Sequence, residues 1–366
     1  MTNSTGLRID NDVELLDAMM ADLAAYQGPL GPGPYWLKNQ EYTVRWLRGQ
    51  DLNAFRRYSS DGKGLSNFGG GSMWRAPSDV VDAMRSVSSG IAYRAAQKLG
   101  LSPVILHYAR RLRALAMESN LAVNSAFWLG ELCRARDTQR LLARLEVGIE
   151  GDPDDLIMIG GRRYTPMFLM KFLIHLDIAE MTGPLDIETY VEIGPGAGRL
   201  AEIVAKVKPS ARLFLVDIPP QLYVTHQVLH AIFPGQVAPY RSFDPQRNGQ
   251  ANRIFVLAPW QLERLGLDGA DLAVCEAAEE MPKAALQGYF GHLSRLGARR
   301  VFVRSALSKP GYDVATPDDL LSWLPGYTLA RQATVNGPDT PRAVIGDENA
   351  LAGNPAAHFL YVRGTA

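Results

Sequence analysis

Residues 189–222 read TYVEIGPGAGRLAEIVAKVKPSARLFLVDIPPQL, which sets Gly194, Gly196, Gly198 and Asp217 at spacings that could do chemistry. An apolar run enters closely spaced glycines, a helix-like stretch follows, and a second apolar run stops at an aspartate. Glycine lacks Cβ, so such a turn lets a ligand lie against bare backbone. Asp217 falls at the C-terminal end of the next strand, the edge where ligands of open α/β sheets bind. Its carboxylate can accept both hydroxyls of a ribose. The dinucleotide fingerprint G-x-G-x-x-G is not met: the glycines stand as G-x-G-x-G, position 199 is Arg, and Glu192 precedes the first glycine where a dinucleotide strand is usually apolar. No Gly-Lys-Ser/Thr follows, as a Walker loop would need. A ribose without phosphates is the expected ligand. The plainer alternatives are a turn needing positive φ and, for Asp217, a helix N-cap ahead of Pro219 and Pro220.

A second constellation is acidic. Glu276, Glu279 and Glu280 crowd the segment after the apolar run DLAVC. Mutual repulsion and burial would raise a carboxyl pKa there toward useful basicity. The alternative is an exposed acidic helix start. His292 lies on the following helical stretch and could approach the same place. His226 and His230 are one turn apart, but without an HExxH context they read as ordinary helix residues, and no metal site is expected. His107 and His175 sit in apolar helical text and read as core or interdomain residues.

The elements that must position these groups are legible in the periodicity. From Thr189, short β-branched runs alternate with helical stretches: YVEIG, RLFLVD, IFVLAP, DLAVCE, RRVFVRSA, YTLARQATV and HFLYVRG. That alternation indicates a mostly parallel sheet covered on both faces. Before it, DVELLDAMMADLAAY and the text from Ser78 to Gly183, including residues 126–146 and 165–181, show helical spacing. Residues 53–71, rich in Gly, Ser and Asn with Phe55, Tyr58 and Phe68, read as a loop or as a lid over a ligand. The expected organisation is a mainly helical unit over residues 1–185 and an α/β unit over 186–366.

VEIGPGAG followed by LFLVDIPP resembles the first two motifs of class I S-adenosylmethionine-dependent methyltransferases. The resemblance covers about the last 180 residues. It implies a Rossmann-like seven-stranded methyltransferase sheet, with S-adenosylmethionine as cofactor and S-adenosylhomocysteine as product. Glu192, Gly194, Pro195, Gly196 and Gly198 would then face the methionine portion, and Asp217 with Ile218 the ribose. Glu192 would meet the cofactor ammonium directly or through water, or else satisfy nearby backbone donors. Pro259 and Trp260 would flank the adenine, or pack in the core.

A narrower resemblance, carried by VDIPPQLYVTHQVLHAIFPG, FVLAPWQLERL and AVCEAAEEMPKAALQGYF, is to a family of sugar O-methyltransferases. Its Asn-x-x-Ser-x-x-Glu-Met signature survives as Glu280-Met281, in a segment one residue short. Cys275 replaces the Asn and is counted with the cofactor-binding residues, and the Ser falls on Ala278 or Ala277. Methyl transfer from a sulfonium to a hydroxyl usually needs the hydroxyl proton removed, and the resemblance makes Glu280 the first candidate base, ahead of Glu279, Glu276 and His292. An amine acceptor, an amino sugar or other secondary metabolite, is the close alternative. A protein that binds the cofactor without transferring methyl is the rival from another class.

The bulk composition agrees with these readings. The 38 basic and 38 acidic residues leave no net charge, which disfavours nucleic acid as the main partner. Two cysteines exclude a disulfide framework and fit a reducing, cytoplasmic setting. The first residues form no leader pattern, and no apolar run approaches the roughly 18 residues that span a bilayer, so no membrane partner is expected. The expected partner is a small-molecule acceptor, with a homodimer contact allowed for in the helical unit.

Overall fold

The computed structural model describes residues 9–49, 52–57, 129–153, 155–183, 186–242, 252–267, 269–276, 278–306, 313–334 and 356–364. Most of the expected lid (58–71), the helical text of 78–128 with His107, and Ala277 lie outside the described residues. The chain forms a short hairpin, β1 (Ile157–Ile159) and β2 (Arg162–Tyr164), and then a large sheet. The sheet strands are β3 (Thr189–Ile193), β4 (Arg212–Val216), β5 (Ile254–Leu257), β6 (Leu272–Cys275), β7 (Arg300–Ala306), β8 (Tyr327–Thr334) and β9 (Ala356–Arg363).

These seven strands run in the order β5-β4-β3-β6-β7-β9-β8. β3 to β7 are mutually parallel, and β9 runs antiparallel between β7 and β8. This is the mostly parallel sheet expected from the alternation of strands and helices, and the Rossmann-like seven-stranded sheet that the resemblance implies. Strand order reverses between β3, which passes to β4, and β6 on its other side. A crevice opens at such a switch point beyond the carboxyl ends of the strands.

Period-two alternation decides what each face holds. Tyr190 on β3, Leu213 and Leu215 on β4, and Leu272 and Val274 on β6 pack with Leu200 and Val204 of helix Arg199–Val207 and Leu222 and Leu229 of helix Gln221–Ile232. Val191, Ile193, Phe214, Val216, Ala273 and Cys275 face the other way, onto Leu286, Phe290 and Leu293 of helix Lys283–Arg295. Glu192 points to the first face, where a leucine would be expected from its neighbours.

The described helices ahead of the sheet build on it directly. Leu16, Met19, Trp46, Leu47 and Phe55 share the first face's core with Ile174 and Ile178 of helix Pro166–Thr182. Tyr223 donates to Asn11 Oδ1 (2.7 Å), and Tyr240 donates to Asp22 Oδ2 (2.8 Å). Their apolar stripes therefore have the sheet's own covering layer as partner.

Two stretches differ from the sequence expectation. The helix expected over 126–146 breaks after residue 136. Asp137 takes the backbone N–H groups of Leu141 (2.9 Å) and Leu142 (2.7 Å), and Arg140 adopts φ 54°. A short acidic side chain that bonds local backbone offers a route out of the helix. β1 and β2, read as part of a helical region, are instead joined by Gly160 (φ 60°) and Gly161 (φ 78°). Two consecutive positive φ values are what a type I′ hairpin turn requires.

A further helix, Pro34–Gly49, follows a stretch read only as loop. Pro suits a first helical position because its missing N–H would be an orphan there.

Candidate functional site

The glycine turn leaves β3 as the sequence predicts, with φ of 75°, 57° and 72° at Gly194, Gly196 and Gly198. A side chain in that region is strained, so these positions need glycine for their backbone alone. Gly194 N donates to Val216 O (2.8 Å), and Gly198 N donates to Pro195 O (2.8 Å) while opening helix Arg199–Val207. Gly194 and Gly196 are half-exposed, whereas Pro195 and Gly198 are buried. A Cβ on Gly196 would meet nothing within 4 Å, so this part of the turn faces open space.

Asp217 stands across the turn. Its Oδ2 accepts from Gly196 N (3.1 Å) and its Oδ1 from Ile218 N (2.8 Å). The cap of helix Gln221–Ile232 is Pro220, so Asp217 is not an N-cap here. Burial raises its carboxyl to about 7, against the two N–H bonds that lower it, and the charge of Glu280 raises it further. Each oxygen keeps lone-pair capacity beyond its one backbone bond. Thr225 Oγ1 donates to Gly196 O, so both sides of the Gly196 peptide are held. Thr225→Val is expected to cost about 1 kcal/mol of stability, the worth of one net hydrogen bond, read by denaturant titration.

Glu192 lies at the other end of the turn, 2% exposed, and accepts from Tyr190 Oη (2.9 Å). Burial, then the nearby Glu276, raise its carboxyl to about 8, while Lys171 and Tyr190 oppose the shift. Glu276 is buried on the same face and ion-paired with Lys171 of helix Pro166–Thr182. Cys275 is fully buried and its thiol is pushed up by burial, so it is no nucleophile.

Glu279 is buried and Glu280 half-buried in the turn Ala278–Glu280. Met281 covers the glycine turn: a Cβ on Gly194 would come within 3.2 Å of its methyl carbon. Beside it opens a cleft of about 700 Å³ between this segment and the first turn of helix Pro34–Gly49, lined by Tyr35, Lys38, Asn39, Glu280, Lys283 and Asp313 among others. The structure thus brings Glu192, the glycines, Asp217, Glu276 and Glu280 to one sheet edge.

The remaining candidates divide. His292 sits in the last turn of helix Lys283–Arg295, beside Arg295 (3.3 Å). That is about 13 Å along the axis from Lys283, so it is not brought to the cleft. Pro259 and Trp260 open the short helix after β5 at the same edge as Asp217, whose N–H donates to Leu257 O (3.1 Å); Pro259 is buried, and Trp260 packs against Tyr26 with ring centroids 5.3 Å apart. His226 and His230 stack at 6.2 Å. Burial lowers His226 to about 4, so it is a neutral packing residue. His175 is likewise buried and lowered to about 4. Among the described residues, no group of three or more His, Cys, Asp or Glu side chains is placed to hold a metal ion. No described helix is long and apolar enough to cross a membrane.

Sequence reasoning missed Lys171, Thr225, Tyr35, Lys38 and Asn39. Lys171 had a signal: it is a single cation inside MFLMKFLIHL, a helix apolar nearly all round. A charge in such a helix is tolerated only with a partner. The residues of helix Pro34–Gly49 had none, since they reach the site only through tertiary packing.

No family model matches the chain, and no curated protein matches it in sequence. Among solved structures it is similar to magnesium protoporphyrin IX methyltransferase (ChlM) from Synechocystis PCC 6803 with bound SAM, at 16% identity and a TM-score of 0.35, over 53% of this chain and 80% of that one. It is similar to the pyocyanin biosynthetic protein PhzM at 17% identity and a TM-score of 0.35, over 54% and 57% of the two chains. A third similar structure is the [4+2]-cyclase SpnF, at 13% identity and a TM-score of 0.38, over 54% and 82%.

Proposed function

We propose that the protein transfers the methyl group of S-adenosylmethionine to a hydroxyl of a sugar or sugar-bearing metabolite, with S-adenosylhomocysteine as product. The observation that carries this reading is the open glycine turn with the Asp217 carboxylate held across it, next to a polar cleft. The residues fit the cofactor at both ends: Asp217 retains acceptor capacity for a ribose diol, and the buried Glu192 matches a cationic tail. When bound, the sulfonium supplies an electrophilic methyl group. Asp217 fixes the ribose, Met281 closes over Gly194, and the cleft walls orient the acceptor. Glu280, in the cleft, would take the hydroxyl proton as the C–O bond forms and the S–CH3 bond breaks, the departing group being the neutral thioether. Lys38 as donor and Glu280 as acceptor, beside the Lys283–Asp313 ion pair (3.0 Å) on the cleft wall, suit a polyhydroxylated acceptor, and the Tyr35 ring suits the apolar face of a pyranose.

The test is calorimetric titration with S-adenosylmethionine, S-adenosylhomocysteine and NAD, followed by an acceptor screen for a mass gain of one methylene. Binding of the first two alone and an O-methylated sugar are expected. NAD binding alone overturns the reading. An N-methylated amine moves it to the amine acceptor, and cofactor binding with no turnover on any acceptor moves it to a non-methylating binder. Asp217→Ala is expected to weaken S-adenosylhomocysteine binding by about 1.5 to 3 kcal/mol, the scale of a charge-assisted hydrogen bond. Unchanged affinity in the folded variant would remove Asp217 from the ribose site.

The same site predicts a pH dependence. Asp217 and Glu192 titrate at about 7 and 8 without ligand, and a diol and an ammonium group both favour the ionised carboxylates. Glu192 is faced by Tyr190, Glu276, Lys171 and Asp217, and Asp217 by Glu280 and the N–H groups of Gly196 and Ile218. Binding below these values must therefore release protons, so affinity rises with pH until the ligand's own ammonium group begins to lose its proton. Calorimetry in buffers of different ionisation heat reads the protons directly. Affinity flat across that window would contradict the assignment.

A further inference from the structure

Lys171 and Glu276 come from distant parts of the chain and meet beneath the glycine turn. Glu192 pairs in register with Val274, which puts Glu276 on the same sheet face one step further toward the carboxyl edge. Lys171 lies in the first half of helix Pro166–Thr182 and donates to Glu276 Oε2. The other oxygen, Oε1, is buried and meets no hydrogen-bond partner among the described residues. Glu276 is only 4% exposed, so solvent does not serve that oxygen well. Beside it, Glu192 carries a second buried carboxyl that only Tyr190 serves by a described hydrogen bond. Two buried carboxyl groups thus lie beside one cation, and one oxygen of Glu276 is left without a donor.

We propose that Glu276 receives the primary ammonium of the ligand's amino-acid tail together with Glu192, and that Lys171 is the positioning residue that holds Glu276 for it. An ammonium group brings three donors, enough for Glu276 Oε1 and Glu192 together, and a positive charge that compensates Glu192 when it gives up its proton, whereas a hydroxyl brings one donor and no charge. Lys171 prevents the two carboxylates from repelling each other apart while no ligand is bound. The hydroxyl-accepting role then belongs to Glu280, which lines the neighbouring cleft, and Glu276 discriminates the cofactor. This inference rests on the methyltransferase reading and deepens it at the cofactor's tail.

The experiment compares S-adenosylhomocysteine with 5′-methylthioadenosine, the same nucleoside thioether without the amino-acid group, by calorimetry on the full chain. Wild type is expected to prefer the former by about tenfold or more, the scale of a charge-assisted hydrogen bond. Glu276→Gln, nearly isosteric, and Lys171→Met are expected to lose most of that preference while 5′-methylthioadenosine affinity stays within about twofold. Lys171→Arg is expected to restore it. If Glu276→Gln keeps the wild-type preference, or if a variant weakens both ligands equally, the proposal is overturned. If Lys171→Met does not fold, Glu276→Gln and Lys171→Arg decide. A wild type that binds neither ligand overturns the methyltransferase reading itself, and this inference falls with it.

Discussion

Glu280→Gln is expected to lower the rate of methyl transfer by about 10²- to 10⁴-fold, the usual contribution of a positioned general base. Binding of S-adenosylhomocysteine should change little, because the side chain lines the acceptor cleft rather than the glycine turn. The physical reason is that an alcohol is a poor nucleophile until its proton has somewhere to go. Glu280 is half-buried, and its charge raises the neighbouring Asp217 carboxyl, which places it between cofactor edge and cleft. Single-turnover rates on the identified acceptor, with cofactor affinity as the control, make the measurement. A rate within about threefold of wild type would pass the proton-accepting role to another group or to an amine acceptor that needs less base catalysis.

Glu202→Ala is expected to destabilise the fold by about 3 to 5 kcal/mol, the cost of breaking a buried ion pair from one side. Glu202 is fully buried and accepts from Arg199 Nη1 (2.6 Å), Lys206 Nζ (2.6 Å) and Gly148 N (2.8 Å). Removing it leaves the buried guanidinium of Arg199 without its described partner and breaks the Gly148 N tie to the helix that continues the glycine turn. Burial alone would raise its carboxyl, but Lys206, Arg199 and the Gly148 N–H overcome that and hold it at about 2, against 4.5 for the free group. A depressed folded value means the stabilisation is present above pH 4.5 and is lost as pH falls toward 2. Urea titrations of wild type and variant across that range should therefore converge at the acid end. A difference below about 0.5 kcal/mol at neutral pH would show the network to be dispensable.

What could be read from the chain follows the range of the interactions involved. Hydrophobic alternation and glycine spacing are local signals, so the strands from β3 onward were legible along the chain, and the strained turn at Gly194 to Gly198 and the position of Asp217 at a strand end were legible in residues 189–222. Local competition was harder to weigh. The periodicity of 126–146 suggested one helix, but Asp137 bonding to Leu141 and Leu142 ended it, and the Gly160-Gly161 pair made a hairpin within text that looked helical.

The three glutamates show the limit most clearly. By residue type and spacing alone, Glu276, Glu279 and Glu280 formed one acidic run, and only the resemblance put Glu280 first. Their burial and partners differ because β6 aims Glu276 under the turn toward Lys171, 105 positions away, while Glu280 turns toward a cleft completed by Tyr35, Lys38 and Asn39. His292 was on the expected helix but at its far end, since helix direction relative to the sheet sets which turn reaches the edge. The sequence by itself determined the strands, the bare backbone of the turn and the carboxylate opposite it, because each depends on neighbours a few residues away. Only the tertiary structure decided which carboxylate is paired, which is left one donor short and which faces the cleft, because those outcomes depend on desolvation and on charges brought in from remote helices.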